Sequence, residues 1–369
     1  WRPDPIKPAR TLRPSEALAS LVDSALRFHG NSDSRLGDSV ALVVPNSLTL
    51  DQQERLLRAM KLRGMGGAML LWRPVAAVLS WLEHHQAKLT LESKKQGESV
   101  GYVLALHLGL ESFEADLLEI VSWWDKGVQW FLPARSLPRI PTLYELGLRA
   151  VETAAMGQKS GGQFDSWYLM WSTSWLADTL VKRSTSSEWI VQEITRSQQA
   201  CSLTRLRESL GGKMKRPSRK DLAMGVERGL DPWCQYVRSV IGDHRLRGVV
   251  VTGELCQLQS NSGSLVDRLV ESTAKGSPSE CLLVDHDTPI GASLLAQGAA
   301  TFLDRHLKNL PTYLDTLPAI ETLVMTKKGE PHWQDLVDRS DPYVLGGRTQ
   351  KFIPADLNLS VRGEEKYLN

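Results

Sequence analysis

The chain has 369 residues, a formal net charge of +2, 42% hydrophobic and 23% charged residues, enough for a sizeable core and two or three domains. That balance argues neither for nor against a polyanionic partner, and the lack of any run of about 18 apolar residues excludes a transmembrane helix from the expected elements. The start Trp1-Arg2-Pro3-Asp4 shows no secretory apolar core, and Cys201, Cys234, Cys256 and Cys281 form no CxxC pair. A cytoplasmic protein with free thiols and no evident zinc site is expected.

Residues 1–14 hold four prolines and read as an extended arm. A helix is expected from Ser15 to Phe28, carrying Leu18, Leu21, Val22 and Ala25, with Gly30 as its stop. Val40–Val44 reads as a buried strand ended by Pro45. Thr49 and Gln52 have the spacing of a capping box before a helix with Leu56, Leu57 and Met60. Gly64, Gly66 and Gly67 interrupt that helix, Ala68–Leu71 is a short strand, and Pro74–Trp81 begins another helix. Gln86–Ser99 is polar and is expected to be loop. The pair His84-His85 is expected on the surface at a helix end, since no carboxylate or cysteine stands at ligand spacing.

Val103–Leu108 is an almost unbroken apolar run, which suits a strand buried on both faces. It breaks at Gly109, turns through Leu110-Glu111-Ser112, and resumes apolar periodicity at Phe113, Leu117 and Leu118. The N–H groups of such a turn can converge on an anion. Val121–Trp130 is aromatic and reads as paired sheet, whereas Pro133, Pro138 and Pro141 mark an irregular connection. Gly157–Gly162 lacks the spacing of a P-loop. Trp167, Trp171 and Trp175 recur every four residues and form one helical ridge, read as a core-facing stripe in preference to an aromatic platform.

Ile190–Leu210 and Asp221–Gly242 read as helices. The basic loop Gly211–Lys220 between them is read as a solvated connection; it lacks the interleaved aromatics of a single-strand binder, so nucleic acid is not expected. Next come a strand at Arg247–Gly253, a helix at Ser264–Glu271, a short strand at Cys281–Asp285 and a helix at Ala292–Leu307. Ala296, Gly298, Ala299 and Ala300 permit close packing of that last helix. Beyond Pro311, Ile320–Met325 and Leu357–Val361 alternate like strands.

The run His107-Leu108-Gly109-Leu110-Glu111-Ser112-Phe113-Glu114 resembles the second phosphate motif, D-L-G-G-G-T-F-D, of the 70-kDa heat-shock (DnaK-type) chaperones. Upstream, Val43-Val44-Pro45 followed by Asp51-Gln52-Gln53-Glu54-Arg55 resembles that family's V-P-x-x-F-x-x-x-Q-R segment. Leu71-Trp72-Arg73-Pro74-Val75-Ala76-Ala77 resembles its N-E-P-T-A-A-A connecting motif. Leu146-Gly147-Leu148 stands where the family has an L-G-G turn. Val249–Gly253 resembles the adenosine motif, and Gly298-Ala299-Ala300 the closing G-A-A helix.

The resemblance covers residues 15–305 and implies an α/β actin-like two-lobed fold: ribonuclease-H-like sheets flanked by helices around a nucleotide cleft, with a short β-rich C-terminal segment. Residues 1–98 would be the remainder of the first lobe, 99–287 the second lobe, 288–308 a closing helix returning to the first lobe, and 309–369 the β-rich segment. The family's first phosphate hairpin would lie upstream of Trp1.

The family's hydrolytic mechanism needs carboxylates around a magnesium-bound phosphate. At the matching positions this chain has Arg73 for Glu, His107 for the leading Asp, Leu110-Glu111 for Gly-Gly, Thr252 for the first glycine of the adenosine pair, and Gly291-Ala292 for Pro-Asp. A carboxylate at Glu111 held about 4 Å from a phosphate charge costs roughly 4 kcal/mol at an effective dielectric near 20, about three decades of affinity. The resemblance therefore assigns Arg73, His107, Gly109, Glu111, Ser112, Gly147, Gly253 and Gly298 to a nucleotide cleft with no catalytic residue. ATP or ADP is the implied ligand, bound weakly or not at all, and magnesium is not expected. Arg73 and His107 could form a metal-free anion site.

The expectation is a chaperone-like protein that binds a protein or peptide partner and hydrolyses little or no ATP. Two alternatives stand beside it: an active ATPase whose first phosphate loop lies upstream, and a structural subunit of a larger assembly.

Overall fold

The computed structural model describes residues 14–29, 39–89, 95–109, 112–135, 140–144, 230, 232–257, 259–260, 263–274, 282–284, 293–315, 320–325, 331–337 and 344–345. The expected arm at 1–13, the Trp167/Trp171/Trp175 ridge, Gly147, Glu111, the helix at 190–210, the basic loop and the Leu357–Val361 strand lie outside the described residues.

The first segment runs α1 (Pro14–His29), β1 (Val40–Val44), α2 (Leu50–Leu62), β2 (Ala68–Trp72), α3 (Arg73–Leu89). β1 and β2 pair in parallel, Val40 opposite Ala68 through Val44 opposite Trp72. A parallel pair needs a crossover, and α2 supplies it. The capping box forms: the Gln52 N–H donates to Thr49 Oγ1 at 3.3 Å and the Thr49 N–H to Gln52 Oε1 at 2.9 Å. Ala19 of α1 and Leu56, Ala59 and Met60 of α2 cover one face of the pair. α3 covers the other, burying Val75 through Leu79 together with Trp81 and Leu82.

The second segment builds one mixed sheet. β3 (Ser99–Leu108), β4 (Ser112–Asp125) and β5 (Val128–Arg135) are consecutive antiparallel strands. Lys126 and Gly127 join β4 to β5 with φ of 50° and 80°, the left-handed pair that a two-residue hairpin turn requires. After β6 (Leu143–Tyr144) and the helical residues 232–241 (α4), β7 (Leu246–Thr252) lies parallel to β3. A 3₁₀ turn (Glu254–Gln257), a two-residue hairpin of β8 (Gln259–Ser260) and β9 (Gly263–Ser264), and α5 (Leu265–Thr273) lead to β10 (Leu282–Val284), parallel to β7. Then follow α6 (Leu294–Leu307), β11 (Leu314–Asp315), β12 (Ile320–Met325), β13 (Pro331–Val337) and β14 (Val344–Leu345). The sheet order is β10-β7-β3-β4-β5-β11-β14, with β6 paired to β4, and β12 and β13 form a separate antiparallel pair.

The molecule is thus a mixed α/β structure with a mixed sheet and six helices among the described residues. Alternation along β3 divides two cores, because successive side chains point to opposite faces. Leu104, Leu106 and Leu108 pack with Trp233 and Val237 of α4 and Leu265 and Leu269 of α5. Val103 and Ala105 pack with α3 and with Leu294 and Phe302 of α6.

α3 continues to Leu89, so the loop expected from Gln86 starts later. His85 is not a surface residue: it is 9% exposed and stacks on Trp81, ring centroids 4.4 Å apart. A histidine four residues after a buried tryptophan shares its helical face, which the expectation missed. Val121–Trp130 is the end of one strand and the start of the next, and β11 and β14 of the C-terminal stretch join the edge of the main sheet.

α6 crosses α3 at Gly298, where any β-carbon would overlap the Ala76 carbonyl. Gly298→Ala should therefore push the helices apart and cost about 1–3 kcal/mol, read as a lowered chemical-denaturation midpoint with unchanged slope.

Candidate functional site

The C-terminal ends of β1, β2, β3 and β7 converge on one small recess, lined by Asn46, Arg73, His107, Glu114, Asp116 and Thr252 over an apolar floor that includes Ala77 and Ala105. The local sequence places each group. Asn46 follows the strand-ending Pro45. Arg73 opens α3 directly after β2. Ser112, Glu114 and Asp116 stand at every second residue of β4, and so on one face.

Arg73 Nη1 donates to Glu114 Oε1 at 2.6 Å and to Ser112 Oγ at 3.4 Å, while the Ser112 hydroxyl donates to the same Oε1 at 3.0 Å. The other oxygen, Oε2, accepts from the Asn46 backbone N–H at 3.3 Å. Both oxygens of the Glu114 carboxylate are therefore taken. The pair is largely dry, with side chains 17% and 6% exposed.

Beside it runs a second polar chain. Asn46 Nδ2 donates to Asp116 Oδ2 at 2.8 Å, and Arg135 Nη2 donates to Asn46 Oδ1 at 2.8 Å. Arg135 Nη1 reaches Asp315 Oδ2 at 3.0 Å, and its guanidinium lies 4.2 Å from the centroid of the Trp72 ring. Trp72 Nε1 donates to Asp315 as well, at 3.3 Å. Residues at the ends of β1 and β2 are thus tied to β4, β5 and β11 by hydrogen-bonded charge.

His107 and Thr252 form the opposite wall. Thr252 Oγ1 lies 3.0 Å from His107 Nδ1 and donates to the Leu106 carbonyl at 3.3 Å. With its hydrogen directed at that carbonyl, the threonine oxygen accepts from Nδ1–H. His107 keeps a little exposed surface, but protein surrounds most of the ring. That burial, and secondarily the charge of Arg73, pushes its pKa well below the usual histidine value. His107 is neutral here.

The structure brings Arg73, His107, Gly109, Ser112 and Gly253 together and places Gly298 elsewhere, at the α3–α6 crossing. Gly109 donates its N–H to the Ser112 carbonyl at 3.1 Å, closing the β3–β4 turn. Gly253, at φ +108°, sits so close to β3 that a β-carbon would come 2.5 Å from the Leu108 carbonyl oxygen. Its backbone conformation is one that other residues adopt only under strain. Three features weigh against the anion site expected of Arg73 and His107: Arg73 is paired with Glu114, burial disfavours the charged form of His107, and Asp116 adds a further carboxylate. Reading the residues one motif at a time missed Glu114, Asp116 and Asn46. The period-two spacing of Ser112, Glu114 and Asp116 was the signal that could have found the first two.

These residues do not fit a hydrated magnesium ion. That ion demands near-octahedral oxygen ligands at about 2.0–2.1 Å and keeps several waters. Here a guanidinium occupies the Glu114 carboxylate, and the recess has about 10 Å³ of water-accessible volume, close to a single water molecule. Among the described residues no group of three histidine, cysteine or acidic side chains could hold a metal, and no helix is long and apolar enough to cross a membrane.

The chain matches no protein-family model, and no curated protein matches it.

Removing Arg73 strands a carboxylate in a dry site. Arg73→Ala should cost about 3 kcal/mol, the lower end for a buried pair because the arginine keeps some solvent contact. Adding Glu114→Gln should recover much of that loss, and a double-mutant cycle by urea denaturation measures the coupling. The depressed pKa of His107 has a definite sign. The unfolded chain binds a proton at His107 below about pH 6.5 and the folded chain does not, so stability is full above that pH and falls as pH drops below it. His107→Asn should flatten this part of a stability–pH curve.

Proposed function

We propose that this chain is a divergent relative of the 70-kDa heat-shock chaperones that uses an actin-like two-lobed frame to bind a protein or peptide partner. Nucleotide is held weakly or not at all, and little or no ATP is hydrolysed. Three antiparallel strands followed by two parallel to the first, in the order β5-β4-β3-β7-β10, support a ribonuclease-H-like lobe. The return of α6 to pack against α3 and β1 supports a closing helix between lobes.

The observation that carries the functional reading is the Arg73–Glu114 pair. In the resembling family the position of Arg73 holds a glutamate, and the motif position matching Glu114 an aspartate. Here one of the two has become a cation that satisfies the other. The ion pair takes over the neutralising role that metal chemistry would have, so the cleft holds itself together without ligand. The wall opposite is neutral, and the remaining carboxylate, Asp116, repels anions.

Thermal melting tests the reading. A nucleotide supplied at a hundred times its dissociation constant stabilises its binder by about 2.7 kcal/mol. Millimolar ATP or ADP with magnesium should leave the melting temperature unchanged, and phosphate release should stay at the buffer rate. A reduced and alkylated, permanently unfolded polypeptide should bind. A magnesium-dependent rise in melting temperature with ATP would sink the proposal and restore the ATPase reading.

A further inference from the structure

Arg305 stands in the last turn of α6, where its carbonyl accepts the Leu310 N–H at 2.8 Å and fixes the helix end. The residue is only 6% exposed, and its guanidinium lies 5.1 Å from the centroid of the Trp130 ring on β5. Among the described residues, its buried Nη1 bonds to nothing, and neither does the buried Nε1 of that same indole ring. Two donors, one of them on a cation, thus lie in one place without an acceptor.

Buried charges are ordinarily paired, and buried N–H groups ordinarily bonded. The two carboxylates whose charge reaches Arg305 are engaged elsewhere. Glu83 Oε1 accepts from the Thr301 hydroxyl at 2.6 Å, and Asp304 pairs with Lys308 at 2.7 Å. Burial outweighs both charges and pushes the arginine pKa below its ordinary value, the direction expected of a cation held without a close partner. The indole face and the C-terminal end of α6 favour a positive charge here, yet neither bonds Nη1.

We infer that Arg305 and Trp130 form a binding site for a carboxylate, seated where the last turn of α6 meets β5. This stands apart from the chaperone reading. A guanidinium offers parallel N–H groups that match the two oxygens of a carboxylate, and the indole N–H adds a further donor. The nearby charges of Glu83 and Asp304 favour a ligand with one negative charge over a doubly charged phosphate. Val128, exposed and two residues before Trp130 on the same strand face, offers apolar surface to the carbon body of the ligand. So little of Arg305 is open that a slim group enters best: a small free carboxylate, or the carboxyl end of a polypeptide.

Nitrogen-15 labelling of the tryptophans reads the Trp130 indole N–H directly, with Trp130→Phe identifying its signal. Sodium acetate should move that signal saturably, whereas equal sodium chloride should not. Arg305→Lys keeps the charge but loses the fork, and should weaken acetate about tenfold or more. Arg305→Met keeps the bulk and removes the unpaired charge, so the free protein should unfold at the same or a higher urea concentration, with acetate no longer raising it. A peptide with a free carboxyl end that displaces acetate, while its amidated twin does not, assigns the site to a chain end; acetate binding alone assigns it to a small molecule. A Trp130 signal unmoved by acetate, an equal response to chloride, or acetate stabilising Arg305→Met as much as the parent overturns the site. Phosphate binding as tightly as acetate overturns the carboxylate as its ligand.

Discussion

The pairing of β3 on both edges, antiparallel to β4 and parallel to β7, is the constraint on which the rest of the structure depends. A strand buried to this degree has no water to satisfy its backbone, so both neighbours must stay in register with it. Its alternation then fixes which side chains serve each core, with Leu104, Leu106 and Leu108 on one side and Val103 and Ala105 on the other. A slip of one residue would exchange the two sets and bring His107 into a leucine core. The polar residues accordingly collect where β3 ends, beside the carboxyl ends of β1, β2 and β7. That is the customary place for a site in an α/β sheet.

What occupies that place is closed charge chemistry. Glu114 is saturated by Arg73, Ser112 and the Asn46 backbone, and Asn46 hands its side chain to Asp116 and Arg135. Networks of this kind are stable only when complete, because an unmatched charge in a dry recess is far costlier than an apolar substitute. With both Glu114 oxygens engaged, the arrangement is rigid and leaves that carboxylate no open position for a metal. Gly253 makes a close backbone approach to Leu108, with no room for a β-carbon between them.

Much of the architecture could be read from residue order alone. The apolar runs at Val40–Val44 and Val103–Leu108, the Thr49/Gln52 capping box and the helix start at Ser264 follow from local rules, whereas the helix expected from Ala292 begins at Leu294 with Ser293 as its cap. The site was readable only in part. Arg73, His107, Gly109, Ser112 and Gly253 stand in motifs, but the ion pair that Arg73 makes with Glu114 of β4 and the burial of His107 arise only when separate elements meet. His85 shows the same limit: its polarity suggested a surface, and the Trp81 ring beneath it decided otherwise. Gly298 signalled close approach correctly, and only the crossing helix revealed what approached.

α6 and β11 close the structure against elements made far earlier. Thr301 bonds Glu83 across 218 residues, and Asp315 meets Trp72 across 243. During synthesis the apolar flank of α3, including Val75, Val78 and Leu82, must wait for Leu294 and Phe302 to leave the ribosome. At about 5–20 residues per second that delay is on the order of ten to forty seconds. The nascent chain therefore spends that interval with an unclosed helix face, and its yield in a cell depends on how well that face is shielded until translation passes the closing helix.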